Sequence, residues 1–283
     1  MIRKIKTFLE LIKFEHTLFA LPFAYLGMLL AKRGWPGTRV FFWVTLAMVS
    51  ARTAGMTLNR IIDREIDTRN PRTQNRPLVT GAFPVSTAWA LAFVSLGIFF
   101  LSAYALNPAC LKLSPIAVIF LSGYHYVKRF SWGCHFTLGL ALGIAPAGGW
   151  LAVTGVFSWV PLLLSLAVLF WVAGFDILYS LQDVEFDKTH GLHSVPVRFG
   201  QEAALKGSAY CHVATAVFLM LFGLFLHLGI LYWVGVAVAG ALLKLEHKLI
   251  EDGNLSRINT AFFVINGWIG VLLLIFTFLE VFR

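Results

Sequence analysis

The chain has 283 residues, 58% of them hydrophobic and 13% charged, about half the charged share of a soluble globular protein. With a mean hydropathy of +0.77 and apolar runs of bilayer-crossing length along the whole chain, this excludes a soluble enzyme, a disordered protein and a secreted disulfide scaffold. The net charge of +9 would suggest nucleic acid in a soluble protein. Here the enrichment of basic residues in cytoplasmic loops of membrane proteins accounts for it, and no nucleic-acid partner is expected.

In chain order, the opening MIRKIKTFLELIKFEH is basic and amphipathic. No small-residue cleavage site follows it, so it reads as a retained juxtamembrane helix rather than a signal peptide. Nine apolar segments of crossing length then follow, near 14–31, 41–62, 87–106, 111–127, 135–153, 158–181, 208–226, 228–245 and 260–280. The connections at Asn107-Pro108 and around Leu228-Gly229 are very short. Lipid cannot satisfy open backbone groups, and no alternating barrel strands occur, so the expected fold is all-α: a single-domain bundle (1–283) of nine transmembrane helices. The three cysteines, Cys110, Cys134 and Cys211, share no metal-type spacing and read as small apolar residues.

Of the 23 Lys and Arg, 17 fall on the side that holds the N-terminus and the loops 60–86, 128–129, 188–206 and 244–257. Five fall on the other side, and Arg52 lies inside the second crossing. This places the N-terminus and the long loops 60–86 and 182–207 in the cytoplasm and the C-terminus outside. The expected location is the cytoplasmic membrane, with the lipid bilayer as a partner and the chemistry at its cytoplasmic face. Oligomeric state is not legible from one sequence.

Seven of the fourteen acids sit in two short windows. In the first, Asn59, Asp63 and Asp67 are spaced i, i+4, i+8, which puts them on one helix face. In the second, Asp176, Tyr179, Asp183 and Asp187 form a similar stripe at the end of the sixth crossing. Residues 59, 63 and 67 recur at an offset of 120 as 179, 183 and 187, a pseudo-repeat expected to place a ligand site at its interface. A solvated helix end is the plain alternative for either window alone. Same-face carboxylates repel, so two facing stripes need cations, and Mg²⁺ prefers carboxylates together with phosphate oxygens. Basic residues surround the stripes: Arg72 and Arg76 in the loop after the first, Lys128 and Arg129 between the fourth and fifth crossings, and Arg52 two turns deeper than Asn59. Lipid attraction is an equally ordinary role for the loop cations. Together, carboxylates, Mg²⁺ and arginines suggest a bound diphosphate.

At this point the sequence resembles the UbiA superfamily of membrane aromatic prenyltransferases over almost its whole length. The resemblance rests on LIKFEHTLFALPFA, the Asn-x3-Asp-x3-Asp motif, NPRTQNRPL, YVKRF, the Asp-x2-Tyr-x3-Asp-x3-Asp motif and GLHSVPVRFG. It implies nine helices around a central cavity with a cytoplasmic cap, and two Mg²⁺ ions bridging an isoprenyl diphosphate. Asn59, Asp63, Asp67, Asp183 and Asp187 match the metal motifs, and the four aspartates are the expected catalytic set. Asp176 and Tyr179 open the second motif, and Arg129 falls where an acceptor carboxylate is thought to bind. Arg60 departs from the Asp that many members carry after the motif Asn, as do Lys13, Glu15 and His16 from the usual opening.

The implied reaction is Mg²⁺-assisted ionisation of a polyprenyl diphosphate, followed by attack from the ring carbon of a small hydroxylated aromatic acid. Asp183 or Asp187 is a candidate to assist loss of the proton. Two acceptors fit the resemblance, 4-hydroxybenzoate of the ubiquinone type and a dihydroxynaphthoate of the menaquinone type. A divalent-cation or proton-coupled transporter would also bury acids on facing helices, but nearer the midplane and on broken helices. A CDP-alcohol phosphotransferase would need Asp-Gly and Ala-Arg at set spacings, a pattern that does not occur here.

Overall fold

The computed structural model describes residues 2–12, 17–250 and 255–283, all helix and connecting turns among the described residues. Its thirteen α-helices are α1 (Ile2–Ile12), α2 (Thr17–Lys32), α3 (Thr38–Ile62), α4 (Arg64–Arg69), α5 (Val85–Leu106), α6 (Pro108–Val127), α7 (Cys134–Thr154), α8 (Val160–Ser180), α9 (Val184–Thr189), α10 (Val195–Phe199), α11 (Gln201–Phe225), α12 (Ile230–Leu249) and α13 (Asn266–Val281). A 3₁₀ turn, Leu181–Asp183, joins α8 to α9, and a π-helical turn, Thr260–Ile265, leads into α13.

Eight helical segments are long and apolar enough to cross a membrane: α3, α5, α6, α7, α8 with its extension, α11, α12 and the last. The described part of α2 has 16 residues, about 24 Å of helix. With it, the described residues hold nine candidate crossings near the positions expected. Residues 14–16 of the first expected crossing, and Lys13, Glu15 and His16 with it, lie outside the described residues. The largest boundary difference is α11, which starts at Gln201 rather than near 208.

The short connection at Asn107-Pro108 is a cap. Asn107 Oδ1 accepts from Cys110 N at 2.9 Å, and Pro108 occupies the first turn, where a missing N–H costs nothing. The Asn107 amide also donates to Leu151 O at 2.9 Å, fixing this turn to the end of α7.

Glycines set how closely the central helices approach. Gly139 and Gly143, one turn apart on α7, face the Leu169 and Ser165 carbonyls of α8, where any Cβ would collide. Gly27 of α2 faces the Pro146 carbonyl of α7, and Gly149 of α7 the Ala24 carbonyl of α2, in the same way. Small residues at this spacing let backbones pack at van der Waals distance where lipid supplies no hydrophobic drive. The core between α2, α8, α11, α12 and α13 is filled by Phe23, Trp171, Phe175, Phe222 and Tyr232. The amphipathic α1 buries Leu11 against Leu78 and Ala88, so it lies across the loop after α4 and the start of α5.

Candidate functional site

The two acidic windows are not the continuous helices that the spacing predicts. Helix α3 ends at Ile62, and Asp63 sits at φ −90°, ψ 4° before the six-residue α4 begins. Asp183 sits at φ −103°, ψ 4° before the six-residue α9. Both lie in the bridge region between helix and strand. The offset of 120 thus carries over from motif to backbone, since α4 and α9 occupy the same relative positions. The i+4 ladder survives the first break, with Asp63 N bonded to Asn59 O at 2.9 Å and Asp67 N to Asp63 O at 2.8 Å. The bend re-aims the chain without scattering the acids. Asp63, Asp67 and Asp187 are buried, 8%, 5% and 2% exposed.

Each of these carboxylates has a basic partner. Arg72 grips Asp183 with two bonds, Nε to Oδ1 at 3.0 Å and Nη2 to Oδ2 at 2.6 Å. Arg76 Nη1 meets Asp67 Oδ2 at 2.6 Å, Lys128 Nζ lies 3.6 Å from Asp187 Oδ1, and Arg129 Nη2 lies 3.5 Å from Asp63 Oδ1. Asn70 anchors the loop that brings Arg72 over: its Oδ1 accepts from Arg72 N at 2.9 Å and its Nδ2 donates to Asp183 Oδ1 at 3.2 Å. The loop after the first motif is therefore bonded to the second motif. Arg72 also covers the Tyr179 ring, its guanidinium carbon 5.4 Å from the centroid.

Burial pushes the Asp63 carboxyl above the usual range, against the pull of Lys128 and Arg129. Burial works against the Arg72 charge as well, but the Asp183 carboxylate outweighs it and raises the Arg72 pKa.

A cavity of about 650 Å³ lies between the motifs. Of the residues expected at the site, Arg52, Asn59, Asp63, Asp67, Arg72, Arg76, Lys128, Asp176, Tyr179, Asp183 and Asp187 line it. Arg129 does not. Its Nη2 donates to the Ile62 carbonyl at 2.6 Å, so it braces the end of α3 instead of facing the cavity. Four lining residues escape a reading by motif. Arg60, buried, donates to Asn59 Oδ1 at 3.2 Å and leaves its Nε without a partner. His125 Nδ1 lies 3.2 Å from Asn59 Nδ2, His135 Nδ1 lies 2.7 Å from Asp176 Oδ2, and Asn70 joins the motifs as described. The sequence signals among these are Arg60, a cation inside an acidic motif, and Asn70, which opens the NPRTQNRPL loop. Beyond Arg52 lies a second, apolar chamber of about 170 Å³ whose lining includes Ala51, Leu121, Ala145 and Gly148. Arg52 lines both spaces, and its Nε has no hydrogen-bond partner.

Among the described residues no three His, Cys, Asp or Glu side chains converge tightly enough to form a ready metal site. The donor set nonetheless fits a hard divalent ion: the acids and Asn59 offer oxygen ligands, and Asp187 Oδ1 is buried without a hydrogen-bond donor.

The UbiA prenyltransferase family profile matches residues 20–269. The 4-hydroxybenzoate octaprenyltransferase of Nitrosospira multiformis is 31% identical over 244 residues, covering 86% of this chain and 83% of that protein. The apo structure of a UbiA homolog from Aeropyrum pernix K1 is 34% identical and covers 94% of this chain and 98% of that one, with a TM-score of 0.86. A UbiA homolog from Archaeoglobus fulgidus, solved bound to GPP and Mg²⁺, shares the fold at 23% identity and a TM-score of 0.72, over 98% of this chain and all of that one. Matched along most of its length by the family and by relatives above 30% identity, the chain belongs to the UbiA prenyltransferase family.

Proposed function

We propose that this membrane prenyltransferase moves an isoprenyl chain from an allylic polyprenyl diphosphate to a ring carbon of 4-hydroxybenzoate, with Mg²⁺ as cofactor, at the cytoplasmic face of the membrane. The observation that carries this reading is the joining of the two acidic motifs across one cavity, through Asn70 and Arg72 to Asp183. Asn59, Asp63 and Asp67 on one side, and Asp183 and Asp187 on the other, would hold the metal. When bound, Mg²⁺ offsets the charge that develops on the departing diphosphate. Arg60, Arg72, Arg76 and Lys128 line the same cavity and offer the diphosphate further charge-assisted bonds. The apolar chamber past Arg52 excludes water from the allylic cation.

The name of the Nitrosospira relative supports 4-hydroxybenzoate over a dihydroxynaphthoate as acceptor. Its carboxylate is assigned to Arg52 rather than Arg129. Arg52 lines the cavity seven residues before Asn59, about 10 Å along α3, and its Nε is buried without a hydrogen-bond partner. An acceptor anchored there spans the space between Arg52 and the carboxylates. The 17 to 5 distribution of basic residues supports a cytoplasmic N-terminus and site and an external C-terminus.

The test is incubation of purified protein with Mg²⁺, an allylic diphosphate and a panel of 4-hydroxybenzoate, a dihydroxynaphthoate and a phenol lacking the carboxylate, with products identified by mass spectrometry. Prenylated 4-hydroxybenzoate is the expected product. Prenylation of the naphthoate alone would move the acceptor, and cation flux in vesicles without any prenylated product would favour a transporter. Arg52→Lys should raise the KM for the aromatic acid far more than Arg129→Lys does. The reverse order would return the carboxylate to Arg129.

A further inference from the structure

Asp176 stands apart from the other cavity aspartates. Asp63, Asp67, Asp183 and Asp187 each face a Lys or Arg, whereas Asp176 pairs with the His135 ring, with Nδ1 2.7 Å from Oδ2. His135 is 2% exposed, and the Asp176 side chain keeps 26% of its surface open at the cavity wall. The far side of the imidazole is fixed too. The backbone N–H of Val195, in the first turn of α10, donates to His135 Nε2 at 3.2 Å. A nitrogen that accepts an N–H must carry a lone pair, so the neutral ring has its proton on Nδ1, aimed at Asp176. The pair exists because of packing. Gly139, one turn after His135, lets α7 close on the Leu169 carbonyl of α8, and Asp176 lies two turns further along that helix. The loop 190–194 is pinned at the same place, by His193 N to Lys128 O at 2.7 Å.

We infer that His135 is a positioning residue that orients the Asp176 carboxylate through its Nδ1–H, so that Asp176 takes the proton displaced from the aromatic ring. This rests on the prenyl-transfer reading above. In that step the allylic C–O bond breaks with its electron pair leaving on the diphosphate, and a ring π pair forms the new C–C bond. The proton on the attacked carbon passes to an Asp176 oxygen, its bonding pair restores the aromatic ring, and the neutral acid then releases the proton to cavity water. Asp183 is less suited to this task because Arg72 and Asn70 take both of its oxygens, and Asp187 is held beside Lys128.

Two isosteric substitutions separate this role from plain packing. His135→Asn carries an amide N–H near the position of Nδ1 and keeps the bond to Asp176. His135→Gln reaches Val195 and loses Asp176. With an acceptor deuterated at the attacked carbon, His135→Gln should lower kcat on the order of 10²-fold, leave both KM values little changed, and reveal a primary isotope effect absent from the wild type. His135→Asn should restore most of kcat and abolish that effect. Equal activity of the Asn and Gln variants, or a loss in Gln with no isotope effect, would overturn the His135 role. Nitrogen-15 NMR of histidine-labelled wild type provides a reading independent of turnover: a neutral ring protonated at Nδ1 is expected, and protonation at Nε2 would overturn the inference. Wild-type protein with the expected tautomer that prenylates no aromatic acid overturns the proposed function, and the proton-acceptor role falls with it.

Discussion

Arg72 occupies the ligand positions that a metal-bound diphosphate would need. Both Asp183 oxygens are taken by its guanidinium, at 3.0 and 2.6 Å, so holding Mg²⁺ through Asp183 requires Arg72 to let go of at least one. Two unit charges about 4 Å apart attract by about 4 kcal/mol at an effective dielectric of about 20. The pair is partly open, 34% and 12% exposed, and exposed pairs are worth well under that once screening and side-chain entropy are counted. A bidentate pair at this depth is worth roughly 1.5 kcal/mol, about tenfold in an equilibrium constant. Arg72→Ala should therefore tighten Mg²⁺ binding without substrate by about tenfold, because Asp183 is released. The same substitution should lower kcat/KM for the prenyl diphosphate by on the order of 10², since no guanidinium remains there to meet the diphosphate. Isothermal titration in detergent measures the first effect and steady-state kinetics the second. Mg²⁺ binding that weakens in Arg72→Ala, in protein that remains folded, would refute the competition.

Asp63→Asn, Asp67→Asn, Asp183→Asn and Asp187→Asn should each reduce kcat/KM on the order of 10² or more, about 2.7 kcal/mol; full activity in two of the four at limiting Mg²⁺ would contradict the metal assignment. Because the Asp63 carboxyl lies above the usual range, near about 3.9 for a free side chain, it takes up a proton earlier as pH falls. The Mg²⁺ concentration for half-maximal rate should then rise as pH drops from neutral toward that range, and a requirement that stays flat would contradict it. Gly139→Ala should destabilise by about 1–3 kcal/mol through collision with the Leu169 carbonyl, read as a lowered thermal midpoint. Gly97→Ala, whose Cβ meets nothing, should be neutral or stabilising. Tags at the N-terminus and in loops 60–86 and 182–207 should report one side of the membrane and a tag after Arg283 the other; matching sides for both termini would contradict the proposed orientation.

The helix count and the acidic windows were legible because both depend on local signals, apolar length and i+4 spacing. The breaks at Asp63 and Asp183 were not, since a bridge-region residue leaves the i+4 spacing intact. Lys128 and Arg129 show a second limit. Neighbouring residues at a helix end point in different directions, so adjacency cannot tell which one enters the cavity. Here Lys128 lines it and Arg129 turns back to the Ile62 carbonyl. The His135–Asp176 pair was hidden for a different reason. The two residues are 41 positions apart and meet only because α7 and α8 close on one another at Gly139 and Gly143. The four-residue spacing of those glycines was the available signal, and it marks a helix contact without saying what the contact brings together. Asn70 was visible as part of a turn-forming loop, but its bond to Asp183 depends on the fold bringing two windows 113 positions apart to one place.

The two acidic motifs are proposed to hold a prenyl diphosphate through Mg²⁺. The most direct test of this role is equilibrium binding of a non-hydrolysable prenyl diphosphate analogue to the purified protein, with Mg²⁺ and with EDTA. Binding should require Mg²⁺ and be lost in Asp63→Asn and Asp183→Asn alike, one from each motif. Binding of equal strength in EDTA, or binding that survives either substitution unchanged, would contradict it.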